Sequence, residues 1–501
     1  MSAPLDHLAV AAGPSAWLRR IVPVAVVVTA GGVVGLTAPR GTMTSAASVA
    51  AFLLLGAVGV LVGVLARTRW AALLAPVAFA GTVEFVRLPV TGPTVDAIRL
   101  DDLYGVLAFV VGRGFDSVVL LLPLVLGGMW GAAIARRAGA APTGRAPRTR
   151  RVGLALSGVI ALLVLAALLR PATTAPILGA DGAVLDGSIA ELATVPIGGH
   201  AQSMMIRGED AEAPVLLFLE GGPGGTATGS MRIAGEPLEE HFVVVTWDQR
   251  GTGRSAGALE PTSTLTLDRM VADTIEVTRY LCERFDEENI YLVGSSWGTT
   301  LGVLAVQQRP ELYRAYVGTG QMVDQLATDR LMYADSLAYA ERTGDAAFAD
   351  RLRAIGEPPY SDTLAYSQAL AANPEWQDYP RGADYDWRVE YPMSLVVPEF
   401  TLTEQFRAAG GIFETFAVLY PQLQEVDFRR SVPRLDVPVY LVQGAHEAPG
   451  RATLALEWFD ALQAPGKQLV VFDRSGHTPQ RDEPGRFADF LADVVLGKDE
   501  A

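Results

Sequence analysis

The sequence predicts an α/β fold with a mostly parallel central sheet and a helical cap, preceded by an all-α transmembrane region. Three observations carry this expectation. Residues 1–170 hold 15 Lys+Arg against 6 Asp+Glu, a net of +9, and are crowded with long apolar runs; by difference from chain totals of 40 and 55, the remainder holds 25 and 49, a net of −24. In that acidic remainder, short β-branched runs alternate with helical patterns, the rhythm of a parallel sheet covered on both faces. One of these runs, in IYLVGSSWGTTLGVLAVQQ (residues 290–308), passes through G-S-S-W-G straight into an apolar-periodic helix. The reading divides the chain into a membrane region (1–170), a linker (171–195), an α/β core (196–320 and 434–501) and a helical cap (321–433).

Five apolar runs are long enough to cross a bilayer: about 21–38, 46–66, 71–90, 117–135 and 152–169. The first has no signal-peptide cleavage pattern, so all five are read as retained helices. Arg19 and Arg20 precede the first, Arg67 and Arg69 separate the second from the third, and Arg136, Arg137, Arg145, Arg148, Arg150 and Arg151 separate the fourth from the fifth. Alternate loops hold only Arg40, then Arg99 and Arg113 beside Asp96, Asp101, Asp102 and Asp116. The positive-inside bias therefore puts the amino terminus in the cytoplasm and the acidic half outside the cell membrane. Glu84 and Arg87, three apart within the third run, are expected to pair near its outer end. The apolar stretch 104–111 is too short to span and reads as interfacial or re-entrant.

The Pro-, Gly- and Thr-rich segment from Pro171 reads as a linker. Strands are expected over 200–206, 215–219 and 242–247, then an amphipathic helix over 267–285 and the strand of the G-S-S-W-G turn. A nucleophile elbow needs this strand, sharp turn and helix, with Ser296 at the tip and glycines at 294 and 298, where side chains would crowd the turn. A second G-x-S-x-G match, Gly253, Ser255 and Gly257, precedes no helical pattern and reads as loop. Strand 215–219 runs into EGGPGG, whose uncovered amides suit an oxyanion hole: Gly222, or Gly221, together with the amide of Trp297. The DQRGTGRS loop after the next strand, with Asp248 and Arg250, is expected to brace this region.

Of five histidines, His7 precedes the first membrane run, His241 lies ahead of a strand and His200 begins one, which leaves His446 and His477. His477 follows the last strand, where the final member of a Ser, acid, His order falls. The acid is then expected after the preceding strand (437–443), at Glu447, with Asp473 as second choice; Asp436 stands at that strand's other end. The βα rhythm stops between 321 and 433, an insertion rich in Tyr, Trp and Pro that would cover the site. Its acidic groups, Asp324, Asp329, Asp335, Glu341 and Glu357 among them, offer counter-charges for a cationic substrate terminus. Cys282 has no partner, and an acidic second half argues against nucleic acid as a ligand.

Taken together, GGPGG, DQRGTGRS, GSSWGTTL and SGHTPQRDEP make residues 195–495 resemble the proline iminopeptidase family of peptidases, which has the α/β-hydrolase fold. The resemblance implies Ser296, Glu447 and His477 as catalytic triad, a cap after the sixth strand, removal of an amino-terminal residue from small peptides, and no cofactor or metal. Glu220 stands where that family has His, and Glu447 where it commonly has Asp. The expected function is a membrane-anchored serine hydrolase, an aminopeptidase. Rival readings are an esterase or amidase on small acyl substrates, and a transport or sensing protein using a hydrolase-like domain to bind. Its other partner is the lipid bilayer.

Overall fold

The computed structural model describes residues 14–138, 148–360, 363–371 and 373–497, with side chains from residue 21 onward; His7, Arg145 and the side chains of Arg19 and Arg20 lie outside these. Two compact units divide the chain: Met1–Thr91 with Gly112–Arg170, and Gly92–Val111 with Pro171–Ala501.

The first unit is helical. Among the described residues three helices are long and apolar enough to cross a membrane, Ser45–Ala66, Arg148–Leu169 and Leu103–Ala138, the last beginning in the second unit, and Ile21–Thr37 is a shorter apolar one. The third run forms the helix Ala71–Arg87. Close contact between two of these helices falls to small residues, whose backbones can approach nearest. Gly59 and Gly63 meet Gly127, Gly128 and Gly131: a Cβ on Gly63 would lie 2.4 Å from the Gly128 carbonyl oxygen, and one on Gly131 2.0 Å from that of Val60. Glu84 and Arg87 do not pair with each other as expected. Glu84 pairs with Arg113 at 3.1 Å, while Arg87 donates to the carbonyls of Ala38 and Pro39, which satisfy its fork without a charge.

The second unit is built on eight strands: β1 (Ile189–Ile197), β2 (His200–Gly208), β3 (Val215–Leu219), β4 (Val243–Asp248), β5 (Ile290–Ser295), β6 (Tyr313–Thr319), β7 (Val439–Gly444) and β8 (Lys467–Phe472). Their order is β1-β2-β4-β3-β5-β6-β7-β8; β2 is antiparallel to both its neighbours and the rest are parallel. Residues alternate across the pleat, so Leu217 and Leu219 of β3 face one core with the helix Leu267–Phe285, and Leu216 and Phe218 face the other with Phe487 and Leu491. Strand β1 starts inside the stretch expected as linker. It is a half-exposed edge strand joined to β2 by Gly198 and Gly199, both at positive φ, the Gly-Gly signal for a two-residue hairpin.

Helix Leu267–Phe285 begins where Thr266 accepts the Arg269 amide at 3.1 Å and ends at Asp286 in the left-handed region. Between β6 and β7 the insertion forms the helices Gln325–Thr343, Ala346–Ile355, Thr363–Leu370 and Leu402–Leu423, the last opened by a Thr401/Glu404 capping box. The sheet reverses direction at β3: β4 lies on one side and β5 on the other. The loops leaving the carboxyl ends of β3 and β5 therefore meet at the switch point, where open α/β sheets place their sites.

Candidate active site

Strand β5 ends at Ser295 and the helix Trp297–Gln308 starts two residues later, leaving Ser296 alone to make the turn. It does so at φ 53° and ψ −121°, a strained conformation for a residue with a Cβ. The surroundings hold it there. Ser296 donates its amide to the Thr319 carbonyl at 3.0 Å, and its own carbonyl accepts Thr299 Oγ1 at 2.6 Å. The turn closes so tightly that a Cβ on Gly298 would lie 2.0 Å from the Leu219 carbonyl oxygen, and one on Gly294 2.6 Å from that of Gly298.

The loop after β3 lies against this serine: a Cβ on Gly221 would be 2.9 Å from Ser296 Cβ. The two amide candidates differ in what they bind. Gly221 donates its amide to Glu220 Oε1 at 2.7 Å, so that donor is taken. Gly222, at φ 128°, and Trp297, at the first helical position, have no hydrogen bond on their amides among the described residues. Glu220 also accepts Arg481 Nη2 at 2.5 Å, tying the loop to the segment after His477, and Trp297 Nε1 donates to Gln249, which donates to the Glu220 carbonyl. Asp248 is buried, which pushes its carboxyl up, and accepts from Thr226, Thr228 and the Arg254 amide, fastening the loops after β3 and β4 together. Arg250 points elsewhere. Its guanidinium pairs with Asp273 at 2.8 Å and donates to the Gly198 carbonyl, bracing the β1–β2 turn against helix Leu267–Phe285.

The loops after β7 and β8 touch, since His446 donates its amide to the Ser475 carbonyl at 3.0 Å. That contact brings Glu447 Oε2 to 2.5 Å from His477 Nδ1. Gly320 completes the link to the elbow: it follows Thr319, which holds the Ser296 amide, and a Cβ on it would lie 2.6 Å from His477 Cε1. The Ser296 hydroxyl has no hydrogen bond among the described residues. Nucleophile and base often come within bonding reach only when substrate is bound.

Arg451 was not anticipated. One turn beyond Glu447, it donates to Glu447 Oε1 at 2.6 Å and lies 2.8 Å from His477 Nδ1. The i,i+4 Glu–Arg spacing was the available signal. Since Nδ1–H is needed for Glu447, the Arg451–His477 approach is a positive charge beside the ring rather than a hydrogen bond. Burial pushes the Glu447 carboxyl up, but Arg451, His477 and the Ala448 amide outweigh it and hold it down at about 2.

The alternatives lie apart. Asp473 is exposed and faces Arg486 at 3.8 Å, and Asp436 pairs with Arg434 at 2.6 Å. His446 stacks on Tyr379, with ring centroids 5.0 Å apart. Ser255 of the second G-x-S-x-G is buried and accepts the Ser203 amide. Among the cap acids, Asp329 is fully buried, accepting from Tyr420 Oη at 2.6 Å and Gln325 Nε2 at 2.8 Å; burial pushes it up to about 7. Met332, one turn further along that helix, has its Sδ 3.4 Å from Arg451 Nη2.

Residues 214–484 match the family model described as alpha/beta hydrolase fold. A probable aminopeptidase, YbaC of Bacillus subtilis (strain 168), is 30% identical over 321 residues, 61% of this chain and 96% of that protein. A proline iminopeptidase of Xylella fastidiosa (strain Temecula1) is 35% identical over 102 residues, 19% of this chain and 28% of its own. The crystal structure of proline iminopeptidase from Mycobacterium smegmatis superposes with a TM-score of 0.44 at 19% identity, covering 62% of this chain and 99% of that one.

Proposed function

The chain belongs to the α/β-hydrolase family, and on that premise we propose a membrane-anchored serine hydrolase with its site outside the cytoplasm, an aminopeptidase on short peptides. The observation that carries the proposal is the His477–Glu447 pair at 2.5 Å, set beside Gly320 and so beside the Ser296 elbow. In the proposed reaction Ser296 Oγ attacks the carbonyl of the first peptide bond while His477 Nε2 takes its proton. The oxyanion that forms is met by the amides of Gly222 and Trp297. His477 returns the proton to the departing amine, and water then repeats the sequence on the acyl-enzyme. Glu447 holds Nδ1–H and stabilises the imidazolium; Arg451 keeps Glu447 ionised.

The peptidase assignment draws support from the name carried by the Bacillus relative and from Asp329. A buried carboxyl poised near neutrality, with Tyr366 and Tyr420 beside it, suits a substrate ammonium, on whose arrival it would ionise. Prolyl and alanyl arylamides against nitrophenyl esters, with full-length protein in detergent, test this. Arylamide turnover is expected, with Asp329→Asn raising KM for free-amine substrates alone; turnover of esters only would overturn it.

The topology draws on connectivity. In this reading 92–111 and 171–501, which form one unit, share one side of the membrane, and Gly112–Arg170 crosses it an even number of times. The long apolar helices Leu103–Ala138 and Arg148–Leu169 supply two crossings, with Arg136, Arg137, Arg148, Arg150 and Arg151 at their ends on the far side. The positive-inside bias makes that side cytoplasmic, whatever the first three runs do.

A further inference from the structure

One cap segment is held at two of the three points where the chain passes between the units, beside Val111 and beside Arg170. Leu395 and Val397 are buried in a cluster with Ala108 and Val111, next to Gly112, where the chain leaves this unit. The Pro398 carbonyl accepts the Thr173 amide at 2.9 Å, three residues after the helix-bearing stretch ends at Arg170. Beside these two anchors the segment leaves large apolar side chains in the open: Trp387 is 60% exposed, Tyr391 42%, Met393 37% and Val396 64%. Val396 lies between the two buried anchors themselves. Leu103, next to Tyr104 which packs on this cluster, is 67% exposed. Such a concentration of apolar surface is costly in water. Trp and Tyr are the side chains that settle at headgroup depth. Arg388 and Asp386 pair with each other at 2.5 Å, so the segment's attraction is apolar rather than ionic.

We propose that residues 387–397 dock the cap onto the outer lipid interface, the bilayer covering Trp387, Tyr391, Met393 and Val396. This rests on the membrane reading above. The occupant is lipid because the same segment is fastened beside two of the three places where the chain passes to the apolar helices, which on that reading enter the bilayer. Docking also reaches the site. The segment leads into helix Leu402–Leu423, and a Cβ on Gly224 of the oxyanion loop would lie 2.4 Å from the carbonyl oxygen of Gly411 in that helix.

The test uses full-length protein with Cys282→Ser, reconstituted in phosphatidylcholine nanodiscs and carrying one nitroxide at Val396→Cys, Leu162→Cys or Glu311→Cys. Leu162 is an exposed residue of helix Arg148–Leu169, and Glu311 an exposed one at the amino end of β6. Collision with oxygen and with a neutral nickel chelate reports lipid and water. The label at 396 is expected to be about tenfold less accessible to nickel than the label at 311, as burial of a side chain of that size requires. A water-exposed 396 beside a lipid-exposed 162 would overturn the docking and leave the membrane anchor standing. A water-exposed 162 would overturn both.

Discussion

The two sides of the site solve opposite problems. On the β7–β8 side, the charged groups beside the imidazole are already partnered: Glu447 holds His477 at 2.5 Å and Arg451 at 2.6 Å before any substrate arrives. On the β3–β5 side, the amides of Gly222 and Trp297 are bare. A buried carboxylate without a partner would lose several kcal/mol or take up a proton, so the acid must be paired in the resting state. An amide at the edge of a cleft is neutral, stays hydrated at modest cost, and is more useful left open for the charge that develops during reaction. Charge is stored in side chains on one side and awaited by backbone on the other.

Breaking the charged side should cost most. Glu447→Ala or His477→Ala is expected to lower kcat by about 10⁴ while the fold persists, measured by arylamide turnover and circular dichroism. Crowding the bare side comes next. Gly221→Val places atoms against Ser296 Cβ, 2.9 Å from where its own Cβ would stand, and is expected to lower kcat by about 10²–10³ with KM less affected.

Arg451 sharpens the contrast through pH. Glu447 has its folded value depressed from 4.5 to about 2, so its contribution to stability is present above 4.5 and disappears as pH falls through about 2. Full linkage over that interval is about 3 kcal/mol. In Arg451→Gln part of this is lost already at neutral pH, so acid unfolding between these values should be shallower and start from a lower plateau, read by denaturant titration at several pH values. The smallest effect is expected from Glu220→Gln. It weakens the ion pair to Arg481 and the hold on the Gly221 amide, for a few-fold fall in kcat and about 1 kcal/mol of stability.

Much of this was readable because it is local. The elbow is one uninterrupted strand, turn and helix, and helix Leu267–Phe285 carries both its apolar stripe and its Thr266 cap in sequence. What escaped depends on side-chain reach or long-range contact. Strand β1 hid in a linker-like composition, although its Gly198–Gly199 turn was a hairpin signal. Arg451 takes its place only because two loops from separate strands bring His477 beside it. The expected pairing of Glu84 with Arg87 failed because Arg113 and two helix-end carbonyls were better placed. The membership of 92–111 in the hydrolase unit rests on partners some three hundred residues away, such as Glu414, which accepts the Thr94 amide at 2.9 Å. No local pattern encodes that.

The most direct test of the whole account is fluorophosphonate labelling of the full-length protein in detergent, comparing the native chain with Ser296→Ala and His477→Ala. One covalent adduct on Ser296 is expected, with none in Ser296→Ala and labelling slowed by orders of magnitude in His477→Ala. Equal labelling of the native and Ser296→Ala proteins would contradict it.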